Sequence, residues 1–200
     1  MKKLVITIIG LAFSSIALAA PPTYVEFDYI TGGENNNRGN GTDKAGFEFA
    51  GSWGFNENWY VGGILGNYDA KGFADYGYLN ANGGYMLPLN EKTSLIAEGG
   101  LWLGSTDYDG PQGDTDPWAL EAKVGLNTMI ADKVGLFGTF SLVGGDLDTS
   151  GNDDLSNFVW QLGGSYNINE RISVLVKLVN GVNGVNGQDE VLKIAARWTF

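Results

Sequence analysis

INERISVLVKL, residues 168–178, is a tight turn followed by a segment with two different faces. Asn169, Glu170 and Arg171 are turn-type residues between Ile168 and a β-rich run. From there Ile172, Val174, Val176 and Leu178 recur at every second position, opposite Arg171, Ser173 and Lys177. A period of two is the signature of an extended strand, whose side chains point alternately to opposite faces. The last segment, 189–200, repeats the pattern: Leu192, Ile194, Ala196, Trp198 and Phe200 oppose Lys193, Arg197 and Thr199.

Working back along the chain, the same turn recurs. Phe55-Asn56-Glu57-Asn58-Trp59, Leu89-Asn90-Glu91-Lys92-Thr93 and Ile130-Ala131-Asp132-Lys133-Val134 match Ile168-Asn169-Glu170-Arg171-Ile172, with starts 34, 41 and 38 residues apart. Such a period implies one supersecondary unit used repeatedly, here a strand, a tight turn and a strand. Between these turns lie longer polar segments at 32–42, 70–72, 105–117, 145–154 and 181–188. Short and long connections therefore alternate, as in a transmembrane β-barrel. The expected strands are 23–31, 43–54, 58–69, 73–87, 93–104, 118–130, 133–144, 155–168, 171–180 and 189–200, an up-and-down antiparallel barrel of ten; eight is the alternative if 58–87 is divided differently.

The N-terminus, MKKLVITIIGLAFSSIALAAPP, has a positive start at Lys2 and Lys3, an apolar stretch from Leu4 to Leu18 and a small-x-small site at Ala17-Leu18-Ala19. This is the layout of a secretory signal peptide, 1–19, leaving 20–200 as one barrel domain. A retained membrane anchor is the other reading, but the run is short against the roughly 20 apolar residues a helical span needs. Beyond residue 20 glycines and polar residues interrupt every apolar run, which excludes a helical membrane protein; barrel strands need only about 9–11 alternating residues.

The chain carries a formal net charge of −11, and loss of Lys2 and Lys3 makes it more negative, so neither nucleic acid nor an anionic membrane surface is attracted by charge. There is no Cys to form disulfides despite export. Gly is 31 of 200, roughly twice the usual ~7%, which suits a narrow, curved wall. Gly46, Gly84, Gly100, Gly125, Gly135 and Gly164 are expected on lumen-facing and neighbouring positions.

Which face is inside follows from energetics. A Lys or Arg toward mid-bilayer lipid costs roughly 2–4 kcal/mol, so the charged face turns inward. In the second strand Phe47, Phe49 and Trp53 then face lipid, opposite Lys44, Glu48 and Ser52; in the sixth, Trp118, Leu120, Ala122, Val124, Leu126 and Ile130 oppose Glu121, Lys123 and Asn127. Lys44, Glu48, Glu98, Glu121, Lys123, Lys177, Lys193 and Arg197 are the candidate lumen charge network, because buried charges must be paired or solvated. Trp53, Phe55, Trp59, Tyr60, Tyr85, Tyr166, Trp198 and Phe200 cluster near the tight turns and are expected in an aromatic girdle at the membrane–water interface.

The chain ends Ala195-Ala196-Arg197-Trp198-Thr199-Phe200. A terminal Phe after alternating apolar residues resembles the assembly signal of bacterial outer-membrane barrels. With the leader and the hairpin repeat, the likeness to small outer-membrane β-barrel proteins of the OmpA/OmpX/OmpW kind covers residues 20–200. It implies a place in the outer membrane of a Gram-negative cell after signal-peptide-directed export. It also implies that the barrel-insertion machinery reads the last strand through Trp198 and Phe200. The chain departs from OmpA in having no periplasmic domain after the barrel.

With neither His nor Cys, no Ser-His or Cys-His nucleophile can be assembled. Two-carboxylate chemistry has residues in Glu48, Glu98 and Glu121, but a compensated charge network accounts for them without catalysis. No enzyme, cofactor or metal centre is expected. Asp107, Asp109, Asp114 and Asp116 in one long connection, and Asp146, Asp148, Asp153 and Asp154 in another, carry oxygen ligands of the kind Ca²⁺ takes. Neither has the full calcium-loop pattern with its closing Glu, and Asp, Asn and Gly are ordinary turn residues. The expectation is a monomeric, non-enzymatic surface barrel serving envelope integrity or surface interaction, with outer-membrane lipid and lipopolysaccharide as partners. The alternative is a narrow porin-like channel for small solutes or apolar compounds. It is motivated by the glycine-rich wall of the third and fourth strands, expected to be weakly filled.

Overall fold

The computed structural model describes residues 21–32, 44–70, 74–108, 114–145, 155–180 and 190–200. The candidate leader, 1–19, and most of the long connections lie outside them. Ten antiparallel strands close into one barrel: β1 (Tyr24–Thr31), β2 (Lys44–Gly54), β3 (Trp59–Ala70), β4 (Ala74–Asn90), β5 (Thr93–Tyr108), β6 (Trp118–Ala131), β7 (Val134–Gly145), β8 (Leu155–Asn167), β9 (Ile172–Asn180) and β10 (Glu190–Thr199). Each strand pairs with its neighbours in sequence, and β1 pairs with β10 from Tyr24↔Thr199 to Thr31↔Leu192. The Phe200 amide extends this seam by donating to the Thr23 carbonyl at 2.9 Å.

Three of the four tight turns are held by an Asn side chain. Asn56 Oδ1 accepts from the amides of Asn58 and Trp59 at 2.9 and 2.8 Å, and Asn169 Oδ1 accepts from those of Arg171 and Ile172, both at 2.9 Å. Asn90 Oδ1 accepts from the Lys92 amide at 2.9 Å. These Asx contacts substitute a side-chain carbonyl for the backbone and hold the chain in a reversal. Register shifts at Pro88/Asn90 and Met129/Ala131 place irregularities beside two of the turns, where bulges usually sit.

Strands β4 and β5 run past the expected spans, to Asn90 and Tyr108. The reason is continued pairing. Ser105 and Thr106 oppose Gly77 and Tyr76, and Thr106 bridges Thr115, carrying the ladder into the segment expected to be connection.

The outer surface is apolar. Phe47, Phe49 and Leu65, and on the opposite wall Leu126, Phe140, Phe158 and Leu162, all point outward and exposed. On β5 the outward positions from Leu95 to Leu103 carry no charge. That length, at ~3.3 Å per residue and a tilt near 40°, makes a band roughly 20 Å tall. Towards the long connections the band ends at Asp69, Asp75 and Asp107, outward-facing neighbours on β3, β4 and β5 (Asp69↔Asp75, Asp75↔Asp107). Carboxylates set side by side repel and need water around them. Towards the tight turns it ends in exposed Trp53, Phe55, Trp59, Tyr166, Trp198 and Phe200, with Tyr85 packed edge-on against Trp59 at 5.1 Å. Tyr60 does not belong to this ring. It is buried inside the barrel, because Trp59 already points outward and the next residue of a strand must point the other way.

Candidate functional site

Ten strands 4.8 Å apart and tilted near 40° give a backbone radius of about 10 Å, so inward side chains from opposite walls nearly meet. The interior of this barrel is accordingly a packed polar and aromatic layer. Of the eight expected lumen charges, Glu48, Glu98, Glu121, Lys123, Lys177, Lys193 and Arg197 point inward and pair with one another or with neighbours. The side chain of Lys44 lies outside the described residues.

One cluster joins β1, β2, β9 and β10. Lys193 Nζ donates to Glu48 Oε1 at 2.5 Å. Lys177 Nζ lies 2.5 Å from Asp28 Oδ1 and also bonds Glu26 Oε1. Arg197 Nε donates to Glu26 Oε2 at 2.6 Å, and its guanidinium lies 4.1 Å from the centre of the Tyr24 ring, a cation–π arrangement. The second cluster joins β3, β5 and β6. Lys123 Nζ donates to Glu98 Oε2 at 2.8 Å and lies 3.5 Å from Glu121 Oε1. Tyr60 donates its hydroxyl proton to Glu98 Oε1 at 2.6 Å, and Trp102 Nε1 donates to Glu121 Oε2 at 2.9 Å.

Glu26 and Asp28 were not among the expected charges. Their signal is the alternation itself, since Val25, Phe27 and Tyr29 point outward on the same strand. Asp28 is fully buried, and its second carboxylate oxygen has no hydrogen-bond partner among the described residues. Inward there are then five carboxylates (Glu26, Asp28, Glu48, Glu98, Glu121) and four cations (Lys123, Lys177, Lys193, Arg197) among the described residues. Paired in this way, charges that would each be costly to bury are tolerated.

The wall of β3 and β4 is not weakly filled. Tyr78 lies over Gly66 of β3 and donates to Glu48 of β2; the three residues are direct register neighbours, Glu48↔Gly66↔Tyr78. Tyr60 lies over Gly84 of β4 to reach Glu98 of β5, again in direct register, Tyr60↔Gly84↔Glu98. A Cβ at Gly66 or Gly84 would collide with the tyrosine ring above it. Phe137 covers Gly163 in the same manner, Phe137↔Gly163. Glycines on this wall leave room that aromatic rings from the adjacent strand occupy. Gly164, by contrast, has the outward parity of Leu162 and Tyr166.

On β1, β6, β9 and β10 the inward residue nearer the long connections is apolar and the next one deeper is charged. Ile30 precedes Asp28, Val179 precedes Lys177, Val191 precedes Lys193 and Ala119 precedes Glu121. Ile30, Tyr68, Tyr76, Tyr78, Val179 and Val191 form one buried cluster, against which Trp102, Tyr108 and Val159 pack. Tyr68 stacks on Tyr76 at 4.6 Å, and Tyr78 leans on Trp102 at 5.7 Å. The charged belt is therefore bordered, on the long-connection side, by an aromatic and aliphatic collar that lines a half-open cavity of about 140 Å³.

No group of three or more acidic, His or Cys side chains fit to hold a metal ion occurs among the described residues. In the acidic connections, Asp109, Asp146, Asp148, Asp153 and Asp154 lie outside those residues.

In the solved structures, the chain superposes on an outer membrane channel from Pseudomonas putida F1 with a TM-score of 0.57 over 95% of this chain and 98% of that one, at 9% identity. The fold is that of an outer-membrane β-barrel. Neisserial surface protein A matches at a TM-score of 0.46, 12% identity and 90% and 99% coverage. The translocator domain of the autotransporter NalP from Neisseria meningitidis matches at 0.47, 13% identity and 100% and 94% coverage. No family model and no curated protein sequence matches the chain.

Proposed function

We propose that this protein is a non-enzymatic barrel that spans the outer membrane with a closed lumen and serves envelope integrity or surface interaction through its long acidic connections. The observation that carries this reading is the paired charge belt. Lys177, Lys193, Lys123 and Arg197 are each held by carboxylates on other strands, and Tyr60, Tyr78 and Trp102 donate to the same carboxylates. An open aqueous pore leaves such groups to water; here they are consumed by one another. The apolar band, bounded by carboxylates at one edge and aromatics at the other, supports a transmembrane placement with the long connections outside. Export by a cleaved leader and monomeric insertion through recognition of Trp198 and Phe200 complete the reading. So do contacts with outer-membrane lipid and with lipopolysaccharide, whose phosphates divalent ions bridge to the acidic connections.

A narrow channel is the second reading, favoured by the likeness to a barrel described as a channel. Fold alone does not choose, because one barrel architecture hosts many roles. The test is to refold residues 20–200, verify the barrel by its heat-modifiable gel migration and record conductance across a planar lipid bilayer. A folded, electrically silent barrel is expected. Discrete, reproducible conductance steps would overturn the closed lumen and establish the channel.

A further inference from the structure

We propose that the cavity at the long-connection end of the lumen is a binding cup for a non-anionic, single-ring aromatic molecule carrying one hydrogen-bonding group, phenol being the simplest example. Size, wall chemistry and charge each narrow the ligand. The cavity of about 140 Å³ is close to the ~150 Å³ of an apolar cavity that binds benzene, so one ring fits within it. On one side Tyr76, Tyr78 and Trp102 supply aromatic surface, and across from them Val143 and Val159 supply a flat aliphatic wall. Rings prefer such edge-to-face and offset contacts, and burying one gains roughly 25 cal/mol for each Å² of apolar surface removed from water.

The polar part of the lining sits deeper. Thr139, Ser141 and Gln161 line the cavity from β7 and β8, offering hydroxyl and amide groups suited to a phenolic or alcohol oxygen. Beneath them the charges are already engaged: Glu48 is paired with Lys193 at 2.5 Å, and Glu121 lies 3.5 Å from Lys123, which also holds Glu98, and carboxylates outnumber cations inside the barrel among the described residues. A carboxylate entering the cup must break one of these pairs or stay unpaired in a buried, acidic interior, which costs more than it returns. A neutral ligand disturbs none of them. Aromatic walls, a hydrogen-bonding flank and an acidic floor together define the class.

The test uses the refolded barrel in detergent micelles, with phenol binding followed by ligand-detected NMR and titrated to a dissociation constant. Val143→Trp and Val159→Trp each fill the cup from a different strand and touch no ion pair. Either should weaken phenol by about tenfold or more while the barrel keeps its heat-modifiable migration. Benzoate, of similar size but anionic, should likewise bind about tenfold weaker than phenol. An unchanged phenol signal in both filled variants would show partition into the micelle and overturn the cup. Benzoate binding as tightly as phenol would overturn the exclusion of anions. The cup does not rest on the closed lumen: conductance steps would end that reading and leave phenol binding intact, whereas loss of the cup leaves a silent barrel.

Discussion

Replacing Gly66 by Ala tests the feature that organises the β3–β4 wall. The added Cβ would fall within the ring of Tyr78, which lies flat across β3 to donate to Glu48. Backbone on both sides is fixed by the ladder, so the ring must move, and with it goes a hydrogen bond to a buried carboxylate. That loss is worth about 1.5–3 kcal/mol, and overpacking a filled interior adds roughly 1–3. A glycine replaced within a strand returns roughly 0.5–1 kcal/mol through the unfolded chain. The net expectation is a destabilisation of about 2–5 kcal/mol. It is read as a lowered urea midpoint of the refolded barrel, followed by tryptophan fluorescence and gel migration. The control is the same substitution in a Tyr78→Ala background. There the Cβ meets no ring, so the cost of Gly66→Ala should nearly vanish, and a double-mutant cycle gives the coupling directly. Equal costs in the two backgrounds, or a neutral Gly66→Ala in the parent, would refute the role assigned to the glycine.

Three further outcomes are expected. Lys177→Met removes the charged partner of fully buried Asp28 and one of the two partners of Glu26, and should cost about 3–5 kcal/mol in the same urea assay; adding Asp28→Asn should recover part of it, and no shift in the single variant would contradict the ion-pair belt. Trp102→Phe keeps an aromatic ring in the collar but strips Glu121 Oε2 of its indole donor; a loss of about 1–3 kcal/mol is expected, and a neutral result would mean that water serves that oxygen equally well. Deleting Phe200 removes one exposed ring and one seam hydrogen bond, to Thr23. The truncated chain should therefore refold in detergent yet accumulate unassembled in cells, and normal recovery in the outer-membrane fraction would count against an assembly signal at the C-terminus.

The outward face was legible because a single energetic rule governs it. A lysine toward lipid is costly, so wherever Lys177, Lys193 or Glu48 alternates with large apolar residues, the faces assign themselves. The same rule applied to Tyr24–Thr31 brings out Glu26 and Asp28, and applied to Trp59-Tyr60 it forbids placing both rings in one girdle. Both placements follow from alternation alone, so the sequence holds the information for them. The partners of each inward charge were a different matter. Lys193 and Glu48 are 145 residues apart and separated by β1, and Lys177 and Glu26 are 151 apart and separated by β10. Such pairs appear only once the barrel has closed and its register is known.

The glycines show most clearly why composition misled where register informs. A glycine-rich wall looks empty if each strand is considered alone, and an empty wall suggests a pore. Tyr78 and Glu48 sit two strands apart, about 10 Å across the sheet, as do Tyr60 and Glu98. A hydrogen bond spans that gap only if the tyrosine lies flat over the strand between, and only a residue without a Cβ lets it lie there. Gly66 and Gly84 stand at those two crossings, so the absence of their side chains is what lets the neighbouring tyrosines fill the lumen. The same residues that suggest an opening in the sequence therefore let aromatic rings fill that wall in the fold. Widening this barrel would take loss of the tyrosines and not of the glycines.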